Sequence, residues 1–230
     1  MAESGPGTAA LVELYTSEGC SSCPPADRWL STLSSRPAGS VVPLALHVDY
    51  WDYIGWKDPY AKREFSLRQR KFTQLQRMAF VYTPQVMLQG RDFRGWGGRA
   101  FDEALARINA QPAQAHLKLA VLGAGPGGLE VEASAELVRA TDDAALYLAA
   151  YRSKLESRVN AGENRGRLLT HDYVVLEWQG PLAFTTGKRL SERRTLPFLP
   201  GADAGNSGVA AFVQDRRTGE VLQALLRSSC

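Results

Sequence analysis

Two cysteines separated by two residues, Cys20-Ser21-Ser22-Cys23, stand where a short apolar run gives way to a helix start, and no other feature restricts the chain as sharply. Upstream, residues 11–15 (Leu-Val-Glu-Leu-Tyr) read as a buried strand broken by one acid. Thr16-Ser17-Glu18-Gly19 turns the chain. Pro24 and Pro25 then open a helix that runs through Leu33, since proline is tolerated in a first turn. At such a strand-to-helix corner the two sulfurs come close enough to bond, and the unpaired N–H groups of the first turn stabilise a Cys20 thiolate. The expectation is a Cys20–Cys23 disulfide, with Cys230 left as a free thiol. Three uses of the pair stay open: redox exchange, an inert structural disulfide, or part of a metal site. Cys230, His47, His116 and His171 show none of the close ligand pairing of a structural zinc site. Soft thiolates favour Cu(I), so a copper-handling module using Cys20, Cys23 and His47 is the metal alternative.

The rest of the chain divides in two. A second strand is expected over 42–48, an aromatic loop over 49–60, and a helix over 61–78 with Phe65, Phe72, Leu75 and Met78 on one side. A strand over 85–88, a turn at Gly90 and a helix over 99–108 complete a β-α-β-α-β-α order. Residues 111–116, rich in Ala, Gln and Pro, read as a linker. Beyond it, 117–122, 129–135, 145–151, 173–178 and 209–213 are short apolar or alternating runs between turn signals, which indicates strands. The expected organisation is a tail over 1–8, an α/β domain over 9–112 and a β-rich domain over 113–230.

At 230 residues, with 44% hydrophobic and 22% charged residues, the chain suits a globular protein of one large or two modest domains. The net charge of +3 is too small for the footprint of a dedicated nucleic-acid binder. No apolar run reaches the roughly 18 residues of a membrane-spanning helix. Residues 2–7 fit a short stretch following a cleavage site, and the residues alone leave open whether the chain is exported.

Val12-Glu13-Leu14-Tyr15, a Cys-x-x-Cys at a helix start and Tyr82-Thr83-Pro84 ahead of a strand resemble a thioredoxin fold. More specifically, Glu18-Gly19-Cys20-Ser21-Ser22-Cys23-Pro24-Pro25-Ala26-Asp27, His47-Val48-Asp49-Tyr50-Trp51-Asp52, Gly55-Trp56-Lys57-Asp58, Arg68-Gln69-Arg70 and Tyr82-Thr83-Pro84-Gln85 resemble a bacterial family of exported thioredoxin-like proteins, domain of unknown function 1223. Gly162-Glu163-Asn164 and Leu169-Thr170-His171 extend the likeness into the second half. The resemblance implies an α/β thioredoxin-like N-terminal domain followed by an antiparallel, sandwich-like β domain, in a periplasmic or secreted protein. It makes Cys20 an exposed nucleophile and Cys23 the resolving thiol. Pro84 becomes a cis-proline facing them, and Thr83 offers its backbone groups to an extended partner. Glu13 takes the place of a buried acid that helps deprotonate the resolving cysteine. The usual tryptophan and Gly-Pro around the cysteines are replaced by Gly19 and Ser21-Ser22. The implied activity is thiol–disulfide exchange with a protein or small thiol, without a cofactor.

Four further motifs bear on function. Trp51, Asp52 and Trp56, in a loop with Tyr50, Tyr53, Asp49 and Asp58, form either a substrate-binding rim beside the cysteines or a cover of large rings over the core. Gly123-Ala124-Gly125-Pro126-Gly127-Gly128 fits a dinucleotide fingerprint, but the period-two alternation of 129–135 makes it a hairpin turn. Lys62, Arg63, Arg68, Arg70, Lys71 and Arg77 give the helix over 61–78 a basic, solvated face. The segment 162–171 reads as a hairpin tip, of interest only if it folds back onto the cysteines.

Overall fold

Two runs near the N-terminus, Ala10–Thr16 and Val41–His47, are buried at every position. Such strands need cover on both faces and a partner on both edges. The structure, a computed structural model, describes residues 1–125, 127–184, 187–197 and 206–228. In chain order its strands are β1 (Ala2–Glu3), β2 (Ala10–Thr16), β3 (Val41–His47), β4 (Gln85–Leu88), β5 (Arg91–Asp92), β6 (Ala115–Gly125), β7 (Gly128–Leu137), β8 (Ala144–Arg152), β9 (Leu155–Arg158), β10 (Leu168–His171), β11 (Val174–Ala183), β12 (Arg189–Leu196), β13 (Ser207–Asp215) and β14 (Val221–Ser228). The helices are α1 (Pro24–Thr32), α2 (Arg63–Leu75) and α3 (Arg99–Asn109), with single 3-10 turns over Leu33–Ser35 and Asp49–Ile54.

The strands from the two halves of the chain share one eight-stranded sheet, in the order β14-β13-β8-β11-β3-β2-β4-β5. The join is a parallel pair, with Val174 of β11 opposite Ala45 of β3. This overturns the expected fold class: no separate α/β unit of the thioredoxin type stands at the N-terminus, and the protein is β-rich with mixed and antiparallel sheets. The physical reason is that β3 has β2 on one edge and needs a second partner, which β11 supplies from far along the chain. Residues 1–8, read as a tail, carry β1, which pairs antiparallel with β6 and joins the four-stranded sheet β1-β6-β7-β12. The glycine-rich segment after β6 turns a hairpin, with Gly125 opposite Gly128. Pro126 lies outside the described residues, as does Cys230.

One face of the large sheet packs Leu11, Tyr15, Leu44, Tyr147 and Phe212 against Phe65 and Phe72 of α2. The other face is divided. At the β2 end, Val12 and Leu14 meet Leu30 of α1 and Phe101 of α3. At the β13 end, Leu146, Leu148 and Ala211 meet Leu117, Leu119 and Val131 of the second sheet. The basic face expected of α2 is incomplete, because Arg68 turns inward. Its guanidinium donates to both Glu13 carboxylate oxygens (2.6 and 3.2 Å) and to Gln214 Oε1 (2.8 Å). It also lies 4.7–5.4 Å from the ring centroids of Phe72, Trp178, Tyr147 and Phe212. Burial works against the charge on Arg68, but Glu13 outweighs it and holds the guanidinium protonated.

A buried pair of this kind is costly to break singly, since the survivor is left uncompensated. Glu13→Leu or Arg68→Met alone is expected to lower the unfolding free energy by about 3 kcal/mol or more, and the double variant by less than either single change. Urea titrations of the three variants check this; additive losses would show that the pair does not act as a unit.

Candidate functional site: a disulfide closed over buried ion pairs

Gly19 lets the chain leave β2 close to its neighbours, since a Cβ there would sit 3.1–3.2 Å from Ile54 and Trp51. The next turn carries Cys20, and Cys23 forms the N-cap of α1 with Pro24 at the first helical position. The two cysteines are joined by a disulfide with their Cα atoms 5.4 Å apart. Cys20 Sγ is 3.3 Å from Ser22 Oγ and 3.8 Å from Thr83 O, and the Thr83–Pro84 peptide is cis. The structure thus brings Cys20, Cys23 and Thr83 together, with Pro84 next in the chain. Trp51 joins them by donating from Nε1 to Thr83 Oγ1 at 2.7 Å.

Glu13 is not part of this group. On β2 it shares a face with Leu11 and Tyr15, which pack against α2, whereas Cys23 heads α1 on the opposite face. The acid on the disulfide's own side is Asp27, one turn after Cys23 and so on the same helical face. It is 6% exposed, and burial, opposed by His171 and His47, pushes its carboxyl above the usual range. A cleft of about 170 Å³ lined by Pro24, Asp27, Arg28, Leu168, Leu169 and Thr170 opens beside it.

Beside the disulfide lies a set of almost completely buried ionisable side chains. His47 Nδ1 pairs with Asp58 Oδ2 at 2.7 Å, and both are almost completely buried. Asp58 also accepts from the backbone N–H of Glu18 (2.8 Å) and of Tyr60 (2.9 Å). Burial alone would push His47 down, but Asp58 against Nδ1, helped by Asp27 and Glu18, raises it. Burial likewise opposes the Asp58 charge, and His47 with the two N–H groups outweighs it, holding the carboxyl below its usual value. Glu18, fully buried, accepts from Trp56 Nε1 at 2.8 Å and meets His171 Nε2 at 3.1 Å. His171 Nδ1 in turn lies 3.8 Å from Asp27 Oδ2, and the two imidazoles cross edge to face, 5.0 Å between centroids. Asp27 Oδ1, His47 Nε2 and His171 Nδ1 have no hydrogen-bond partner. Among the described residues no group of three or more His, Cys, Asp or Glu is arranged to hold a metal ion.

The segment 162–164 does fold back onto the cysteines. Asn164, fully buried, donates from Nδ2 to Glu18 O (2.8 Å) and Cys20 O (3.0 Å), and Glu163 Oε2 accepts the Ser21 N–H at 2.9 Å. Gly162 adopts φ +72°, and a Cβ there would press within 2.9 Å of Ile54. Under this strap and the aromatic loop, Cys20 is 1% and Cys23 0% exposed. Cys20 is therefore not the exposed residue that the resemblance implied. Trp56 and Asp52, expected at a binding rim, turn inward: Trp56 binds Glu18, and Asp52 Oδ1 accepts the Asp58 N–H at 3.2 Å. Tyr53, stacked beside Trp51, is the exposed ring of that loop. His171, Asn164 and Glu163 carry no local signal of a site, because their contacts are with residues some 140 positions earlier.

The site is thus a buried, strapped disulfide in a mixed-sheet protein. The chain belongs to the family described as protein of unknown function DUF1223, whose model matches residues 11–214. A protein of Agrobacterium tumefaciens with a known crystal structure is similar over 99% of this chain and 97% of its own, at 27% identity and a TM-score of 0.72. HBP35 of Porphyromonas gingivalis shares the fold, with a TM-score of 0.74 and 13% identity over 98% of this chain and 76% of that one. No curated protein sequence matches significantly. Among the described residues no helix is long and apolar enough to cross a membrane.

The pKa directions fix a pH dependence. The folded state holds the His47 proton more tightly than the unfolded chain, so this contribution is complete below about pH 6.5 and is lost as pH rises through the folded value. Asp27, also raised, acts in the same direction from a lower start: its contribution is complete below about pH 4 and is lost as pH rises through its folded value, which tilts the maximum toward its acid end. Asp58 is lowered, so its contribution is present above about pH 4 and is lost as acid protonates it. Stability of the oxidised protein is expected to peak between about pH 4 and 6.5 and decline toward pH 9. Asp58→Asn should flatten both flanks; a profile unchanged by that substitution would contradict the assignment.

Proposed function

We propose that the protein is a thiol–disulfide oxidoreductase acting through Cys20 and Cys23 on a dithiol or disulfide partner in an oxidising, extracytoplasmic compartment. The observation that carries this reading is the placement of the disulfide at a helix N-terminus, one turn from the buried Asp27, whose Oδ1 lacks a hydrogen-bond partner as do one ring nitrogen each of His47 and His171, an arrangement that a purely structural bridge does not need. Persistence of such a bridge fits an oxidising compartment.

In the reducing direction a partner thiolate attacks Cys20 Sγ. The S–S bond breaks, its electron pair goes to Cys23 Sγ, and a partner sulfur is joined to Cys20. Asp27, one turn from Cys23 and with its carboxyl raised above the usual range by burial, is the group that passes a proton to the Cys23 thiolate. The partner's second thiolate then attacks the partner sulfur of the mixed disulfide and releases Cys20, so the partner leaves oxidised by the two electrons the protein has gained. The reverse sequence oxidises a dithiol. In this reading the incoming chain reaches Cys20 past Trp51 and Thr83, whose contacts border the sulfur, so Trp51 has to give way for it.

The burial of both sulfurs favours a second reading, an inert buckle holding the β2–α1 corner. One experiment separates the two. Equilibrated in glutathione buffers of set potential and quenched by alkylation, an oxidoreductase converts reversibly between disulfide and dithiol while remaining folded. Cys23→Ser is expected to trap a mixed disulfide at Cys20, and Cys20→Ser to abolish exchange. A bridge that opens only on unfolding would establish the buckle instead.

A further inference from the structure

The strap puts a charge at the mouth of the site. Glu163 is exposed, yet its position is fixed: Ser21 N–H binds its Oε2, Asn164 beside it is anchored by two buried hydrogen bonds, and Gly162 packs on Ile54 and Trp56. Ser21 directly follows Cys20, so the carboxylate is held on the backbone one residue beyond the sulfur that a partner must reach. The bond from Ser21 keeps Glu163 below its usual pKa and hence ionised throughout the neutral range. The Asn164 amide already closes the corner, so that task requires no charge on its neighbour.

We propose that Glu163 selects the thiol partner of Cys20: its clasped carboxylate disfavours anionic small thiols such as glutathione and favours a neutral or basic cysteine-bearing polypeptide segment. The selection rests on the oxidoreductase reading. Attack on a disulfide is made by a thiolate, itself negative, so every incoming nucleophile meets this carboxylate at close range. A further negative charge on the nucleophile's carrier adds repulsion, and a positive one offsets it. A polypeptide has a second advantage, since its backbone carbonyl can take over the Ser21 N–H that Glu163 gives up. Arg165 and Arg167 lie exposed on the same strap and form a constant background when residue 163 alone is changed.

The test compares wild type with Glu163→Gln, which removes the charge but keeps an oxygen to accept the Ser21 N–H, and with the charge reversal Glu163→Lys. Disulfide opening is timed with glutathione, neutral 2-mercaptoethanol and cationic cysteamine. Each rate is divided by that thiol's rate with an unhindered small disulfide. Relative to 2-mercaptoethanol, Glu163→Gln should speed glutathione by about threefold and slow cysteamine, with a larger change for Glu163→Lys. In the wild type the discrimination should shrink toward 1 M salt, where the screening length falls to about 3 Å. Equal changes for all three thiols, or no change, would overturn the proposal while leaving the oxidoreductase reading intact. Failure of every thiol to open the bridge in folded protein would remove that reading, and this one with it.

Discussion

A carboxylate with no access to water must be met by donors, and Glu18 is met from two distant parts of the chain. Trp56 reaches it from the aromatic loop and His171 from β10, while Asn164 holds its backbone carbonyl and its own N–H binds Asp58. Leaving that charge unpaired in the interior would cost several kcal/mol, more than one or two ordinary contacts return. The corner that carries the cysteines is therefore stable only when the loop over 49–60 and the segment over 155–171 are both in place. The disulfide lies in a framework that needs all three pieces.

The same dependence explains why the N-terminal strands do not stand alone. β3 accepts β11 on one edge and β2 on the other, and β2 is covered on one face by α2 with Arg68 buried inside it. Gln214 of β13 completes the guanidinium's hydrogen bonds, and Tyr147, Trp178 and Phe212 surround it. Without β8, β11 and β13 that arginine keeps Glu13 but loses the Gln214 acceptor and three of its four ring contacts. Backbone pairing and a buried charge thus impose the same joining of the two halves.

Much of the local structure was legible in the sequence, because strand and helix patterns depend on neighbours. The helix starting at Pro24, the strand over Gln85–Leu88 and the hairpin after β6 follow from proline placement, apolar runs and period-two alternation. The sheet order was not legible, since nothing in β3 announces that its second partner lies beyond residue 170. The resemblance sets Glu13 beside Cys23, and nothing local corrects it, because in a strand buried at every position alternation does not tell which face is which. Arg68 looked like one more charge on a basic helix, and only its partner on β2 distinguishes it. The cysteine pair was plain from its spacing, while Glu18, Asp27, His47, Asp58 and His171 stand in the family motifs and only the fold shows that they pair with one another.

Asn164 and Glu163 are neighbours in the chain, but the physical demands on them differ. Asn164 is fully buried, and its amide serves two carbonyls that would otherwise be lone pairs in the interior, so its chemistry is fixed by the requirement that buried acceptors be satisfied. Glu163 is in water and binds an N–H that water could serve equally well. Its contribution to folding is correspondingly small, and what distinguishes it from any other polar residue is the sign of its charge at the rim of the disulfide. A closed corner and an exposed charge beside it are thereby supplied by adjacent positions. The first follows from desolvation and is insensitive to salt; the second acts through solvent and is not.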